Sequence, residues 1–306
     1  MEDQLWNALY PLIQAEDKRR PRIKRTQFSD AAILAVACWA ILHDRPICWA
    51  CCHRHWPASF TRDLPSPATM SRRLRRLSLC LLLEQIFCRL LALDGAAQFC
   101  LCRRVDSKPL PVGGFSKDRD ARRGYASCGT CKGYKIFGCW AKNAVVPEAV
   151  ILGPMKQSDP AGTMQLIDRI QRLHAGSIGA GGYVLADSTN DTNPLHEYLG
   201  CRAFQLLAPR RLSNQHKPIS PLSHHQKQSP HRLRSIELLE GRGSFGRSVY
   251  QLRGQVERDL GNLGSFGAGL QPLPSFVRRP RRVALWVIVK LVLNGLRICE
   301  NTGLAA

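Results

Sequence analysis

The chain has 306 residues, which is enough for one large domain or two of ordinary size and for a core that needs no disulfide staples. Its 44 Lys and Arg residues exceed its 23 Asp and Glu residues, giving a net charge of +21. A field this positive indicates a polyanionic partner, and it disfavours an ordinary metabolic enzyme. The charge is densest in residues 209–306, which hold 16 basic and 5 acidic residues.

Of the possible polyanionic partners, an anionic membrane surface is less favoured than nucleic acid. The longest apolar stretches, residues 31–42 and 283–293, are shorter than the roughly 20 residues that span a bilayer. The acidic N-terminal stretch lacks the pattern of a signal peptide. The 13 cysteines are odd in number and several lie in apolar runs, so we expect reduced thiols. We therefore expect a cytoplasmic, nucleoid-associated protein that binds nucleic acid.

Residues 1–98 have the pattern of a helical domain. Asp30 is a candidate cap for a helix that starts at Ala31, and Ser66 with Pro67 marks the start of another helix. In residues 67–77 an apolar face formed by Met70, Leu74 and Leu77 leaves four arginines on the other side: Arg72, Arg73, Arg75 and Arg76. These arginines form either a solvated basic face or a helix-turn-helix-like element that meets DNA. We favour a DNA-binding domain over residues 1–98.

From residue 99 the pattern changes to a mixed α/β domain. Apolar runs predict three antiparallel strands, then a helix, a strand, a helix and a strand, at residues 99–105, 134–141, 144–152, 159–174, 183–186, 193–199 and 202–207. A basic insertion follows at about residues 209–247, and helices are predicted at 248–263 and 283–299. The whole of residues 99–306 is taken as one catalytic domain.

Three carboxylates stand at positions that suit catalysis. Asp106 and Asp187 each follow an apolar strand, and Glu257 shares one face of the 248–263 helix with Tyr250 and Arg253. Oxygen ligands without His or Cys suit a hard cation, Mg²⁺ or Mn²⁺, and two such ions can drive phosphodiester chemistry. On spacing alone, helix caps and surface charges remain an alternative.

The residues around these carboxylates resemble the motifs of bacterial insertion-sequence DDE transposases. The first aspartate lies in Val105-Asp106-Ser107-Lys108-Pro109, and the second in Leu185-Ala186-Asp187-Ser188. Tyr250, Arg253 and Glu257 are similar to the family's Tyr-Arg-Glu-Lys signature. Gly133-Tyr134-Lys135 is similar to a Gly-Tyr-Lys that the family has between the first two motifs. The stretch from Leu64 to Leu74 is similar to the region that precedes the catalytic domain in several such families.

The resemblance implies a DDE transposase with a ribonuclease-H-like mixed sheet flanked by helices. Asp106, Asp187 and Glu257 would be its catalytic residues and metal ligands, and Tyr250 and Arg253 would contact DNA near the cleaved phosphate. The expected DNA contacts are Arg72, Arg73, Arg75, Arg76, Lys135, Tyr250, Arg253, Arg258, Arg278, Arg279, Arg281 and Arg282.

Two departures from the family pattern stand out. Gly264 occupies the position of the signature lysine, so that Arg258 or Arg278 would have to replace its phosphate contact. The residues Ser-Thr-Asn-Asp after Asp187 differ from the common Lys-Gly-Tyr.

The implied activity is metal-dependent cleavage at element ends, followed by transfer of the freed 3′-OH into target DNA. A homo-oligomer assembled on the terminal repeats is the expected form. A nuclease of the same fold, and a DNA-binding regulator or decayed copy, remain alternatives.

The thiols and histidines offer weaker candidates for metal sites. Cys128 and Cys131 form a Cys-x-x-Cys without a second pair at zinc-finger spacing, so incidental thiols are the favoured interpretation. The same holds for the cysteines and histidines of residues 48–55. Four histidines of the basic insertion, His216, His224, His225 and His231, indicate a DNA-facing or disordered loop rather than a metal site.

Overall fold

A computed structural model gives the fold of the chain. The residues that the structure describes are 2–21, 26–94, 100–113, 116–126, 129–142, 144, 146–173, 181–211, 228–264, 269–270 and 272–301. Within these residues, no helix combines the length and apolar character needed to cross a membrane.

The chain forms two compact units. The first comprises Met1–Asp94, Val112–Asp120 and Asn262–Ala306, and the second comprises Gly95–Pro111 and Ala121–Gly261. The sequence analysis placed a single boundary at residue 98, and in the structure the C-terminal segment instead packs with the N-terminal helices. The cause is the apolar face of the last helix, which is buried against them.

The first unit is helical. Its helices are α1 (Glu2–Lys18), α2 (Asp30–Leu42), α3 (Pro67–Arg73), α4 (Leu77–Asp94) and α10 (Pro280–Asn301). Short 3-10 helices occur at Trp49–Cys51 and His53–His55. Helices α1, α2, α4 and α10 pack on one another, and α2 is buried along almost its whole length. An apolar helix of this kind is stable only at the centre of a bundle.

Two helix starts of the first unit test the predicted caps. The Ser66 side chain accepts from the Thr69 N–H, and Pro67 occupies the first turn of α3, as predicted. At α2, however, the N-cap is Ser29, whose side chain accepts from the Ala32 N–H at 3.1 Å. The predicted cap, Asp30, lies inside the helix with its carboxylate against Arg73.

The second unit is built on one mixed sheet. Its strands are β1 (Cys102–Pro111), β2 (Arg122–Ala126), β3 (Gly129–Ala141), β4 (Ala149–Pro154), β5 (Gly182–Leu185) and β6 (Phe204–Leu207), and the principal order is β2-β3-β1-β5-β6. β1 pairs antiparallel with β3 and parallel with β5, and β5 pairs parallel with β6. The outer edge of β3 pairs with β2 near its start and with β4 further along.

Five helices accompany this sheet. They are α5 (Asp159–Leu173), α6 (Asn193–Gly200), α7 (Pro230–Glu240), α8 (Phe245–Gln251) and α9 (Gly254–Asn262). Apolar residues of α5 and α6 form one core with the central strands, including Val105, Phe137, Ile167 and Val184. Three antiparallel strands followed by parallel ones, with helices outside, confirm the expected ribonuclease-H-like α/β fold.

One predicted helix of the second unit was wrong in detail, and two elements, α7 and β2, were not predicted. Helix α7 lies within the basic insertion, which shows no clear apolar period. The single helix predicted over 248–263 is two helices, because the chain turns at Leu252 and Arg253 and Gly254 starts α9 afresh. Strand β2 was not predicted, since its Arg-Arg-Gly-Tyr-Ala sequence carries no apolar alternation. It lies mostly exposed at the edge of the sheet.

Candidate active site and nucleic-acid interface

The two predicted catalytic aspartates are brought side by side by the pairing of β1 with β5. The parallel register pairs Cys102 with Tyr183 and Arg104 with Leu185. The same register, continued beyond the end of β5, sets Asp187 opposite Asp106. Asp106 does not end its strand, as the sequence analysis predicted; it lies inside β1, opposite Gly138 of β3. The site therefore lies where β5 stops and β1 continues.

The Asp106 carboxyl is partly buried among like charges. Burial raises its pKa above the usual range, and the negative charges of Asp187 and Asp159 raise it further. The Ser107 N–H, which donates to Asp106 Oδ1 at 2.7 Å, and Arg253 act in the opposite direction. Burial is thus the main reason that the charged form of Asp106 is disfavoured, and an added cation beside it would favour the carboxylate.

Arg253 links the third predicted carboxylate to the first. Its guanidinium lies 3.6 Å from Asp106 Oδ2 and 3.9 Å from Glu257 Oε1. The expectation that Tyr250, Arg253 and Glu257 share one helix face was wrong, because α8 ends before Arg253. The turn nevertheless keeps Arg253 next to Tyr250, whose hydroxyl donates to the Ala186 carbonyl at 3.1 Å. Burial raises the pKa of Tyr250, so that it stays a neutral donor.

Strand β1 holds α9 against the sheet through alternate side chains. Arg104 is buried and contacts Gln255 Oε1 at 2.6 Å and Asp259 Oδ2 at 3.0 Å. Lys108 Nζ donates at 3.1 Å to the Leu260 carbonyl, near the end of α9, where a cation is favoured. Asp106 lies between these two residues on the same face of the strand. The sequence analysis missed Arg104, because a buried arginine inside an apolar run has no distinct sequence signal.

The donor atoms around Asp106 and Asp187 suit a hard cation, since all of them are oxygens. Glu257 stands apart, with its side chain 75% exposed. Within the described part of the chain, no group of three or more His, Cys, Asp or Glu side chains is close enough to hold a metal ion. The residues fit a divalent cation by their chemistry and charge, and the first two carboxylates are the ones that the structure brings together.

Lys135 lies at the edge of this site on β3. Its ammonium donates to Asp159 Oδ1 and to the Gln157 carbonyl, both at 3.2 Å. Asp159, the first residue of α5, was not among the predicted site residues. No motif marked it, and the sequence analysis took it only as a helix start.

The arginines near the start of α10 form a second basic surface, in the first unit. Arg278, Arg281 and Arg282 are exposed, and Arg279 pairs with Asp120 at 3.1 Å. Arg279 adopts a positive φ of 75°, and its N–H donates to Asp118. Among the described residues, Arg278, Arg281 and Arg282 have no acidic partner, although Arg278 donates to the Ser275 carbonyl at 2.7 Å. Exposed guanidiniums beside a helix N-terminus are a combination that attracts phosphate.

The arginines expected on the 67–77 helix divide into two groups. Arg72, Arg75 and Arg76 are exposed, whereas Arg73 is buried and donates to Asp30 Oδ1 and to the Phe28 carbonyl, both at 2.8 Å. The helix ends at Arg73, and the predicted apolar residue Leu77 is 72% exposed. Arg73 is therefore a structural residue that fixes α3 to α2, and it is not part of an exposed surface.

A cavity of about 270 Å³ lies in the first unit. It is lined by Ser71 of α3 and Leu74 after it, by Arg282 and Trp286 of α10, and by Arg45 after α2. Of the exposed arginines described above, Arg282 is the one that lines this cavity. Arg258, on α9 of the second unit, is also exposed.

The weaker metal candidates gain no support. Cys128, His216, His224 and His225 lie outside the described residues, as do residues 212–227 of the basic insertion. Cys131 and His231 are described, but neither joins a group of possible metal ligands among the residues that the structure covers. Arg232 of the insertion is buried in a two-point ion pair with Asp191.

One comparison with known proteins identifies the family of the chain. The family model described as a transposase DDE domain matches residues 102–294, which include Asp106, Asp187 and Glu257. A search of curated proteins found no match to the chain. Because the family model covers well over half of the residues and the fold has the expected mixed sheet, the chain belongs to the DDE transposases of the insertion-sequence type.

Proposed function

We propose that this protein is a DNA transposase that hydrolyses phosphodiester bonds at element ends and then joins the freed 3′-OH to target DNA. The observation that carries the proposal is the meeting of Asp106 and Asp187 where β5 ends beside β1, with Arg253 extending from Asp106 to Glu257. Aspartates in this place, beside basic and neutral donors, suit a scissile phosphate and its metal ion.

Asp106 and Asp187 would hold the divalent cation, Mg²⁺ or Mn²⁺, and Glu257 would complete its ligands. When bound, the ion supplies activation of the attacking oxygen and stabilisation of the leaving oxygen. Arg253, already beside Asp106, would orient a phosphate oxygen, and the Tyr250 hydroxyl would help to hold the chain segment that precedes Asp187.

The basic surface of the first unit would hold DNA outside the reaction centre. Arg72, Arg75 and Arg76 lie in α3 or just after it, and Arg278, Arg281 and Arg282 lie just before α10 or in its first turn. All six are exposed, and none has an acidic partner among the residues that the structure describes, so their positive charge is available to a polyanion, which supports a DNA interface here. Lys135 and Arg258 would make further backbone contacts in the second unit.

Nicking of DNA by three isosteric variants tests the proposal. Asp106→Asn, Asp187→Asn and Glu257→Gln remove negative charge but keep side-chain shape, so each should reduce Mg²⁺-dependent nicking of supercoiled plasmid below detection. DNA binding, measured by fluorescence anisotropy on a labelled duplex, should stay within about twofold, because binding rests mainly on phosphate contacts.

Asp63→Asn is the matched control, since Asp63 is an exposed aspartate of the first unit. A variant that nicks as fast as this control would remove its residue from the proposed site. Joining of a cleaved 3′ end, tested with duplexes from the DNA on either side of the coding sequence, separates a transposase from a nuclease. If the wild type binds DNA but does not nick it in Mg²⁺ or Mn²⁺, the remaining interpretation is a DNA-binding regulator.

A further inference from the structure

The residues after Asp187 depart from the family pattern, yet they make an ordered set of contacts. The Thr189 hydroxyl lies 2.6 Å from Asp187 Oδ1, and Asn190 Nδ2 donates to the same oxygen at 2.8 Å. Asn190 is buried, with 3% of its surface exposed. Its amide is thus committed to the Asp187 carboxylate and does not face solvent.

Helix α5 fixes the orientation of that amide. Thr163 Oγ1 donates to Asn190 Oδ1 at 2.9 Å, and Thr163 is also buried. A carboxylate requires a donor, so Asn190 must turn Nδ2 toward Asp187 and Oδ1 toward Thr163. The Thr163 hydroxyl satisfies Oδ1 and opposes rotation of the amide. Without it, a buried acceptor would lose its partner.

The same face of α5 also reaches the other aspartate. Asp159 lies one turn before Thr163, and it accepts from Ser107 Oγ at 2.9 Å. The Ser107 N–H in turn donates to Asp106 Oδ1 at 2.7 Å. A serine whose side chain is held by Asp159 therefore presents its backbone donor to Asp106.

Asp159 has two further contacts around the site. Lys135 Nζ donates to its Oδ1 at 3.2 Å, and Thr189 Oγ1 lies 3.1 Å from its Oδ2. The Thr189 hydroxyl carries one proton, and the shorter contact assigns that proton to Asp187. Asp159 therefore contacts a neighbour of each aspartate, Ser107 beside Asp106 and Thr189 near Asp187. The hydrogen bonds that Ser107 and Lys135 donate to it hold its own side chain in place.

We propose that Asp159 and Thr163, on one face of α5, are positioning residues that set the two catalytic carboxylates. Thr163 acts on Asp187 through Asn190, and Asp159 acts on Asp106 through Ser107. The proposal rests on the proposed function, because it assigns a role to these residues in the same site. It also accounts for Thr189 and Asn190 of the unusual Ser-Thr-Asn-Asp segment, whose side chains take part in the network.

Thr163→Val tests the first arm, since it replaces a hydroxyl by a methyl group of similar volume. Positioning contacts of this kind change metal affinity or activity by about 10–100-fold. We expect Mn²⁺ binding, measured by electron paramagnetic resonance without DNA, to weaken by that factor. In the nicking assay kcat should fall by a similar factor with little change in the KM for plasmid DNA. Thr163→Ser keeps the hydroxyl and should restore both values to within about threefold.

Ile167→Val is the control for a purely structural effect. Ile167 is a buried residue one turn further along α5, and its truncation loosens packing without touching the polar network. Mn²⁺ binding by this variant should match that of the wild type, even where its Tm falls. Equal Mn²⁺ affinities for Thr163→Val and Ile167→Val would overturn the first arm.

A double-mutant cycle tests the second arm. Asp159→Asn and Ser107→Ala should each lower kcat by about tenfold or more, and the double variant should lose no more than the stronger single one, because both break the same link. If the fold-reductions in kcat of the two single variants multiply in the double variant, the proposed route from Asp159 through Ser107 to Asp106 is overturned.

The outcomes also separate this inference from the proposed function. A wild-type protein that binds Mn²⁺ and nicks DNA, with Thr163→Val and Asp159→Asn behaving identically to it, would refute the positioning role alone. A wild-type protein that neither binds Mn²⁺ nor nicks DNA would refute the proposed function and the positioning role with it.

Discussion

Replacing Glu148 by Gln should strongly destabilise the unit that carries the candidate site. Glu148 and Arg103 of β1 are almost completely buried and form a two-point ion pair, with Nε–Oε2 at 2.9 Å and Nη2–Oε1 at 3.1 Å. Gln keeps one acceptor but turns an amide donor toward the guanidinium, and it leaves the Arg103 charge without a counterion. Breaking a buried pair from one side costs about 3–5 kcal/mol.

The lower end of that range applies, because Arg103 keeps its bonds to the Cys100 and Gly181 carbonyls. A loss of about 3 kcal/mol corresponds to a fall in Tm of roughly 6–12 °C for a unit of this size. Urea denaturation followed by circular dichroism gives the free energy of unfolding, and calorimetry gives the Tm.

The chain offers a matched control in Glu240, which forms a two-point pair with Arg210 at a more exposed position. Glu240→Gln makes the same chemical change where water can solvate the remaining charge, so its cost should stay below about 1 kcal/mol. Costs for the two variants that agree within error would refute the argument from burial.

Two further predictions concern charge. Hydrogen bonds from His196 and Arg232 hold the pKa of Asp191 well below its usual range despite its burial, so its contribution to stability is present above the unfolded pKa and is lost as the pH falls. The difference in unfolding free energy between wild type and Asp191→Asn should therefore shrink as the pH falls from about 5 to about 2 in urea titrations, and a constant difference would contradict this. Replacing Arg278, Arg281 and Arg282 by Gln should make the log–log dependence of DNA affinity on salt shallower, by up to about 0.9 per lost phosphate contact. An unchanged slope in anisotropy titrations would place this cluster away from DNA.

Periodicity predicted the order of the strands and helices in the second unit apart from β2, α7 and the break between α8 and α9, because buried strands and amphipathic helices have distinct apolar patterns. It also located Asp106 and Asp187, although the relation of Asp106 to its strand was wrong. The strand continues through Pro109 at a place where β5 has already ended, and local sequence carries no information about the length of a neighbouring strand.

Residues whose roles depend on a distant partner were not predictable in the same way. Arg73 looks like its exposed neighbours in sequence, and only Asp30, 43 positions earlier, makes it a buried anchor. The interruption at Arg253 depends on Gly254, whose weak helix propensity competes with the contacts that α9 makes to Arg104. Asp159 and Thr163 gained a role only once α5 was placed beside Ser107 and Asn190.

The alternation along β1 makes this strand intolerant of changes in length. Arg103 points to Glu148, whereas Arg104, Asp106 and Lys108 lie on the opposite face. Deleting a single codon between those for Arg104 and Lys108 would send every following side chain to the other face of the sheet. Such a deletion keeps the reading frame and removes only one residue, yet it would place Asp106 and Lys108 on different faces of the sheet from Arg104 or from each other. Among diverging copies of a mobile element, in-frame changes of length should therefore accumulate in the edge strand β2 or the basic insertion long before they are tolerated in β1.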